Sequence, residues 1–202
     1  MKGYYYLKGY FNDLQVLQMI GNGPEDTIDN APDKHGRAWG QATIRGEDRQ
    51  GTIDPSIRNV DIYGVGSMMM PDLTRSLGFI FRQINAKYFG FDIFDVFQID
   101  MLRYRGGVEG SDDMFYNWHI DTDYWSNQNI QRKITMIIQL SDEHDYEGGD
   151  LEFQSNKILE GHNFREKGSV IMFPSPWSHR ITPVTKGTRR SIVAWAEGPA
   201  WR

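Results

Sequence analysis

The residues best suited to chemistry are His119 and Asp121, in His119-Ile120-Asp121, and His179 further along the chain. Side chains at i and i+2 of an extended segment point to the same side, so one imidazole and one carboxylate can share a metal. The tripeptide alone carries little weight. With five histidines and about 18 aspartates in the chain, roughly 0.45 such pairs arise by chance. Asp112, Asp113 and Asp123 lie nearby, and a surface turn rich in aspartate would read the same way. His179 changes the balance. Two imidazoles and one carboxylate leave three coordination positions open, a facial arrangement that suits Fe(II) and leaves room for a cosubstrate and O2. Taken singly, His179 also fits a hydrogen-bonded loop histidine. Competing metal chemistries lack their motifs: there is no HExxH helix and no His/Cys deaminase set.

Arg189 follows ten residues after His179, within VTKGTRR. If 189–195 is a strand, Arg189, Ser191, Val193 and Trp195 share one face and Arg190 points the other way. An inward arginine is costly unless it meets an anion, and a guanidinium fork matches a carboxylate in bidentate fashion. A dicarboxylate could span from the metal to Arg189; a structural acid pairing with it is the other reading.

Such residues need elements to hold them. Residues 4–10 are aromatic and β-prone and predict a first strand. Asn12 then reads as an N-cap with Gln15 as its box partner and Phe11 facing Val16 as a staple, opening a short helix that stops at Gly21 and Gly23. Residues 21–57, rich in Gly, Pro, Asp and Asn, predict a long surface loop with one or two short strands, or a lid over a site. Residues 58–69 return to β character. In 71–89, Pro71 suits a first turn, and Leu73, Leu77, Ile80, Phe81, Ile84 and Tyr88 recur at helical spacing up to Gly90. Beyond Gly90 the period changes to two in FDIFDVFQIDMLRYR, and strand-like runs follow at 132–140, 150–154, 168–173 and 189–196. One helix outside many short strands predicts an antiparallel barrel or jelly-roll sandwich. The polar segment 105–118 is a second candidate lid, and its Phe115, Tyr116 and Trp118 could stack on a substrate ring or merely fill the barrel mouth.

Composition excludes much else. Of 202 residues, 39% are hydrophobic and 24% charged, as in a globular domain able to bury a core. The net charge of −5 argues against a broad grip on nucleic acid. No apolar run could span a membrane and MKGYYYLKGYF has no secretory character, so a cytoplasmic protein is expected. Without cysteine there are no disulfides, thiolate metal sites or thiol nucleophiles. His35, His144 and His162 read as surface residues. Oligomeric state is not encoded in any pattern here.

Taken together, HID at 119–121, EGGDLEF at 147–153, GSVIMFPSPWSHRITPVTKGTRR at 168–190 and IVAW at 192–195 resemble the 2-oxoglutarate- and Fe(II)-dependent oxygenases. The similarity is greatest to the prolyl 4-hydroxylase-like branch, including the PKHD-type hydroxylases of bacteria and related phage proteins. It covers about residues 95–197. It implies a mainly β protein with packed helices and a double-stranded β-helix (jelly-roll, cupin-like) core. It also implies a single oxygenase domain over 1–202, with N-terminal helices and loops at 1–94 and the β-helix at 95–197. By the same resemblance His119, Asp121 and His179 hold Fe(II), and Arg189 binds the far carboxylate of 2-oxoglutarate. Tyr104 hydrogen-bonds that cosubstrate, a role for which Tyr116 competes, and Trp195 stands near the metal or packs in the core. The implied activity consumes O2 and 2-oxoglutarate, with ascorbate as an optional accessory, to hydroxylate a peptidyl residue, proline at the 4-position, with succinate and CO2 as coproducts. Asp121 fills the place that a halogenating relative leaves to halide, which argues against halogenation. Hydroxylation of a free amino acid or other small molecule is the alternative within the class. A non-catalytic metal- or protein-binding β-barrel is the alternative outside it.

Overall fold

The computed structural model describes residues 3–27, 29–45, 51–65, 70–94, 96–122, 129–154 and 164–201. The first strand, β1 (Tyr5–Leu7), leads into α1 (Asp13–Gly21). The Asn12 side chain accepts from the Gln15 N–H, and the Gln15 side chain accepts in return from the Asn12 N–H, so the capping box forms as its spacing predicts. Short strands follow, β2 (Gly40–Gln41), β3 (Ile44–Arg45), β4 (Gly51–Thr52) and β5 (Arg58–Asn59), and then β6 (Asp61–Val65). Helix α2 (Pro71–Ile84) has proline in its first turn and buries Leu77, Ile80 and Phe81. It runs on through a π-helical turn, Asn85–Phe89, to the left-handed Gly90. Asn85 stabilises that exit: its amide donates to the Phe91 carbonyl and accepts from the Phe91 N–H.

The remaining strands build the core: β7 (Val96–Gly106), β8 (Phe115–His119), β9 (Ile130–Gln139), β10 (Tyr146–Gly148), β11 (Leu151–Phe153), β12 (Val170–Pro174), β13 (His179–Ile181) and β14 (Val184–Pro199). The large antiparallel sheet runs β1-β12-β9-β14-β7-β6-β2, with β10 on an end of β14; the small sheet runs β11-β13-β8-β5. One face of the large sheet packs on both helices through Val16, Leu77, Phe81, Ile99, Met136 and Ile192. Its other face meets the small sheet through Tyr104, Ile137, Phe153, Phe173, Ile181 and Trp195. The fold is a double-stranded β-helix with helices on one sheet.

Several boundaries differ from the sequence expectation. The strand expected at 189–196 extends from Val184 to Pro199, because Gly187 accommodates a turn of β10 beside it. The candidate lid 105–118 shortens to 107–114. Arg105 and Gly106 complete β7, and Phe115–Trp118 belong to β8, whose half-exposed pattern shows no clear alternation. Gly106 is required there, since a β-carbon would fall 1.7 Å from the Val184 carbonyl oxygen.

The N-terminal segment is tied down by charge. Arg103 is 1% exposed. It bonds Asp61 through Nε at 2.9 Å and Nη2 at 2.6 Å, and reaches Asp26 at 3.2 Å and Asn30. Arg105 also reaches Asp61, at 3.1 Å, and the Trp39 ring covers the Arg103 guanidinium. Removing Asp61 would leave Arg103 buried without its main counter-ion. Asp61→Ala should therefore lower unfolding free energy by about 3–5 kcal/mol, read by chemical denaturation.

Candidate active site

The small sheet brings the two histidines together. In the β8–β13 ladder His119 lies directly opposite His179, so both imidazoles leave the same face. Their ring centroids are 4.2 Å apart. Asp121, two residues past His119, extends into the same space. Its Oδ1 is 3.6 Å from His119 Nε2 and its Oδ2 is 3.6 Å from His179 Nε2. All three ligand atoms lie within 4.8 Å of one another, close enough for one ion to bridge.

The tautomers favour a metal. His119 Nδ1 is 2.7 Å from the Asn117 carbonyl and His179 Nδ1 is 2.9 Å from the Trp177 carbonyl. A carbonyl only accepts, so each Nδ1 carries the proton and each Nε2 turns its lone pair toward Asp121. Burial and the neighbouring His119 push the His179 imidazole down to about 4, which keeps it neutral near pH 7. Burial alone would raise the Asp121 carboxyl, but the pull of His179 and His119 in their protonated forms, with Arg132, lowers it well below the usual carboxylate range. Asp121 is also fixed in place. Its Oδ2 accepts from Thr135 Oγ1 at 2.7 Å, and its N–H donates to the Ser175 carbonyl at 2.9 Å. Around these ligands, Tyr116 stacks on His119 at 3.4 Å, the Arg58 guanidinium covers Tyr116 at 4.5 Å, and Phe173 closes on His179 at 4.8 Å.

The triad opens into a cavity of about 720 Å³ between the sheets, and Arg189, Tyr104 and Trp195 also line it. Alternation places Arg189, Ser191, Val193 and Trp195 on this face, while Arg190 turns to the opposite face and pairs with Asp26. Tyr104 is the cross-strand partner of Arg189. Arg189 is 4% exposed and donates to Ser191 Oγ at 3.3 Å; among the described residues no carboxylate pairs with it. A buried guanidinium with spare donors facing a cavity fits a carboxylate ligand. Tyr116 sits on the histidine and Tyr104 beside the arginine, so the two tyrosines serve different parts of the cavity. Trp195 carries the Arg132 guanidinium 3.8 Å above its ring, and its Nε1 is buried without an acceptor.

The sequence profile of the 2OG-Fe(II) oxygenase superfamily matches residues 100–197, a stretch that contains Tyr104, His119, Asp121, His179, Arg189 and Trp195. That stretch is just under half of the chain, and over it the chain is similar to the superfamily. The chain is similar to a PKHD-type hydroxylase of Synechococcus sp. (strain CC9605), 36% identical over 86 residues, which is 41% of this chain and 36% of the relative. A PKHD-type hydroxylase of Alteromonas mediterranea is 32% identical over 91 residues, 43% of this chain and 40% of the relative. The chain thus spans well under half the length of these curated relatives. Among solved structures, the fold is similar to a Pseudomonas putida prolyl-4-hydroxylase, with TM-score 0.67 and 17% identity over 96% of this chain and 92% of that one. It is similar also to the viral collagen prolyl hydroxylase of Paramecium bursaria Chlorella virus-1 in its 2OG complex, with TM-score 0.65 and 16% identity over 98% and 97%. A Trichoplax adhaerens prolyl hydroxylase bound to a hypoxia inducible factor peptide gives TM-score 0.64 at 16% identity over 96% and 83%. The donor set His119, Asp121 and His179 fits Fe(II), and the buried Arg189 fits a carboxylate such as that of 2-oxoglutarate.

Sequence reasoning missed the residues that support these. Thr135 sits in a strand read only as apolar, Ser175 in the turn just past β12, and Arg58 opens the segment read as β with no role assigned to it. The one usable signal was the polar alternation Gln98, Asp100, Tyr104 on β7, which places polar groups on the face toward the small sheet. Among the other histidines, His35 and His144 are exposed as expected; His162 and Asp123 lie outside the described residues. Among the described residues, no helix is long and apolar enough to cross a membrane.

Asp121→Ala should abolish tight binding of Fe(II) or Mn(II). Thr135→Val, which keeps the volume and removes only the hydroxyl, should weaken it about 10–100-fold in a metal titration, with the circular dichroism spectrum unchanged. Equal affinity in Thr135→Val and the parent would show that Thr135 does not orient the carboxylate.

Proposed function

We propose that the chain is a 2-oxoglutarate- and Fe(II)-dependent dioxygenase that hydroxylates a peptidyl residue, proline at its 4-position, with succinate and CO2 as coproducts. One observation carries the reading: an imidazole–carboxylate–imidazole set and a buried guanidinium that lacks an acid partner among the described residues share one cavity. His119 Nε2, His179 Nε2 and Asp121 would hold the iron. Arg189 would take the far carboxylate of 2-oxoglutarate, with the Tyr104 hydroxyl beside it. Together, iron and cosubstrate supply the activation of O2 and the oxidising power for C–H hydroxylation.

The chain's own residues do the positioning. The Asn117 and Trp177 carbonyls hold both imidazoles in the ligating tautomer, and Thr135 sets the carboxylate. Val193, Leu102 and Ile137 wall the cavity with hydrocarbon, which limits water near the reacting atoms. A peptide substrate is supported by the cavity, larger than a five-carbon cosubstrate alone would fill, and by its apolar rim. Ile57, Ile120 and Ile130 line the cavity and are exposed, and Trp118 is exposed on β8 beside it. The peptide-bound Trichoplax structure and the prolyl hydroxylase neighbours add weight to a prolyl target.

The test is succinate release with Fe(II) and 2-oxoglutarate, with and without proline-containing peptides, and mass spectrometry for the gain of one oxygen. Arg189→Ala should weaken apparent 2-oxoglutarate affinity by at least about tenfold, for a loss of about 2–5 kcal/mol. Arg190→Ala, on the far face, should leave it within about twofold. Stimulation by free amino acids and by no peptide would move the assignment to a small-molecule hydroxylase. The reverse ranking of the two arginines would remove the cosubstrate site from Arg189.

A further inference from the structure

The face of β7 that carries Tyr104 also presents Gln98, Asp100 and Leu102 to the cavity. Pairing with β14 sets their order: Tyr104 opposite Arg189, Leu102 opposite Ser191, Asp100 opposite Val193 and Gln98 opposite Trp195. At strand spacing, Asp100 stands roughly 13 Å along the chain from Tyr104. That is beyond the length of a five-carbon dicarboxylate anchored at Arg189, so Asp100 lines a part of the cavity the cosubstrate leaves free.

Asp100 is 4% exposed, yet only one of its oxygens is engaged. Gln98 Nε2 donates to Oδ2 at 2.8 Å, and among the described residues Oδ1 meets no donor. The residue opposite Asp100 on β6 is Gly64. A β-carbon at Gly64 would meet nothing nearer than Asp100 Oδ1, at 3.8 Å, so the space over that oxygen is open. Oδ1 keeps access to the cavity, where a ligand N–H would supply the missing bond in place of solvent. Burial raises the Asp100 carboxyl, with Arg132 and the Gln98 hydrogen bond pulling it back. Arg132 lies across Trp195 and donates to Gln98 Oε1, so a cation already stands beside the acid. What the position lacks is a hydrogen-bond donor.

Resting on the peptide reading above, we infer that Asp100 is a specificity-determining residue whose Oδ1 accepts a main-chain N–H from the residue beside the hydroxylated one. A prolyl residue has no N–H to offer. Hydrogen-bonded recognition around it must therefore use a neighbour, and an acceptor in the cavity wall, open to the cavity, provides it.

The test uses the full chain with Fe(II), 2-oxoglutarate and blocked peptides of the form acetyl-Ala-Ala-Pro-Ala-Ala-amide, each alanine N-methylated in turn, with hydroxylated product as the readout. In Asp100→Asn, Gln98 still needs an acceptor, so the new amide turns its NH2 into the cavity and replaces an acceptor with a donor. Peptide KM should rise about tenfold or more, while 2-oxoglutarate KM and uncoupled succinate release stay unchanged. N-methylation at one position should raise KM similarly in the parent and add nothing in Asp100→Asn. Gly64→Val, which keeps the acid but covers Oδ1, should raise peptide KM as Asp100→Asn does. Peptide hydroxylation with KM within about twofold in Asp100→Asn, or an N-methyl penalty equal in both proteins, would overturn the assignment and leave the peptide reading standing. Hydroxylation of free amino acids but of no peptide would end the peptide reading, and this assignment with it.

Discussion

The β8–β13 pairing is the constraint on which the rest depends. It is short, three to five residues a side, and it places His119 opposite His179. Side chains alternate across a strand, so a slip of one residue would turn one imidazole out toward solvent and replace it with Trp118 or Arg180. Local contacts then orient the ligands. The Nδ1–H of each histidine is committed to the carbonyl two residues before it, and the Asp121 N–H is committed to Ser175 just past β12. The pairing brings the imidazoles together and these carbonyls set their tautomers.

The large sheet supplies what the small one cannot: length. Strands β7 and β14 run side by side and order the cavity as a graded surface, from the Arg189–Tyr104 pair through Ser191 and Leu102 to Val193 and Asp100, and on to Trp195 and Gln98. Charge is balanced along that surface. Arg58, Arg132 and Arg189 face Asp100, Asp121 and Glu197 in the one cavity. The balance is uneven locally, however. Asp121 accepts from the Thr135 hydroxyl and faces the two imidazole lone pairs across the space for an ion, whereas Arg189 and Asp100 each retain unsatisfied bonding capacity.

How far all this was legible depended on whether a residue's role is written locally. Capping at Asn12, the helical stripe of 71–84 and the inward face of Arg189 follow from spacing within one element, and each appears in the structure as expected. The triad was readable because His119 and Asp121 are two apart and His179 sits in a recognisable run. The β8 strand was hidden, since its residues are half exposed on both faces and its partners, β5 and β13, are remote in sequence. Thr135 and Ser175 were hidden for the same reason. Thr135 is an unremarked polar residue in an apolar strand and Ser175 one in the turn after β12, and the role of each exists only once β9 and the exit of β12 meet Asp121. Arg103 was missed because its partners are remote in sequence: Asp26 and Asn30 come from a segment that reads as loop, and Asp61 from the β-like segment at 58–69.

Arg103 and Arg189 show how structural and functional charge can be told apart on one strand pair. Both are almost wholly buried, and their positions on β7 and β14 are one register step apart, since Arg103 pairs with Arg190 and Tyr104 with Arg189. Arg103 faces the helix side and is saturated by Asp61, Asp26 and Asn30 under the Trp39 ring. A buried cation so enclosed adds fixity and has nothing left to bind with. Arg189 faces the cavity with one weak hydroxyl contact and an aromatic neighbour at 5.5 Å. Its desolvation is only partly offset within the chain, and the deficit can be made good by an anion that enters from outside. An incoming dicarboxylate then gains the bidentate pairing without having to displace a protein acid. The fold's local shortfall would contribute to the ligand's binding energy, which is why the unsatisfied arginine rather than the saturated one is the one proposed for the cosubstrate end of the cavity.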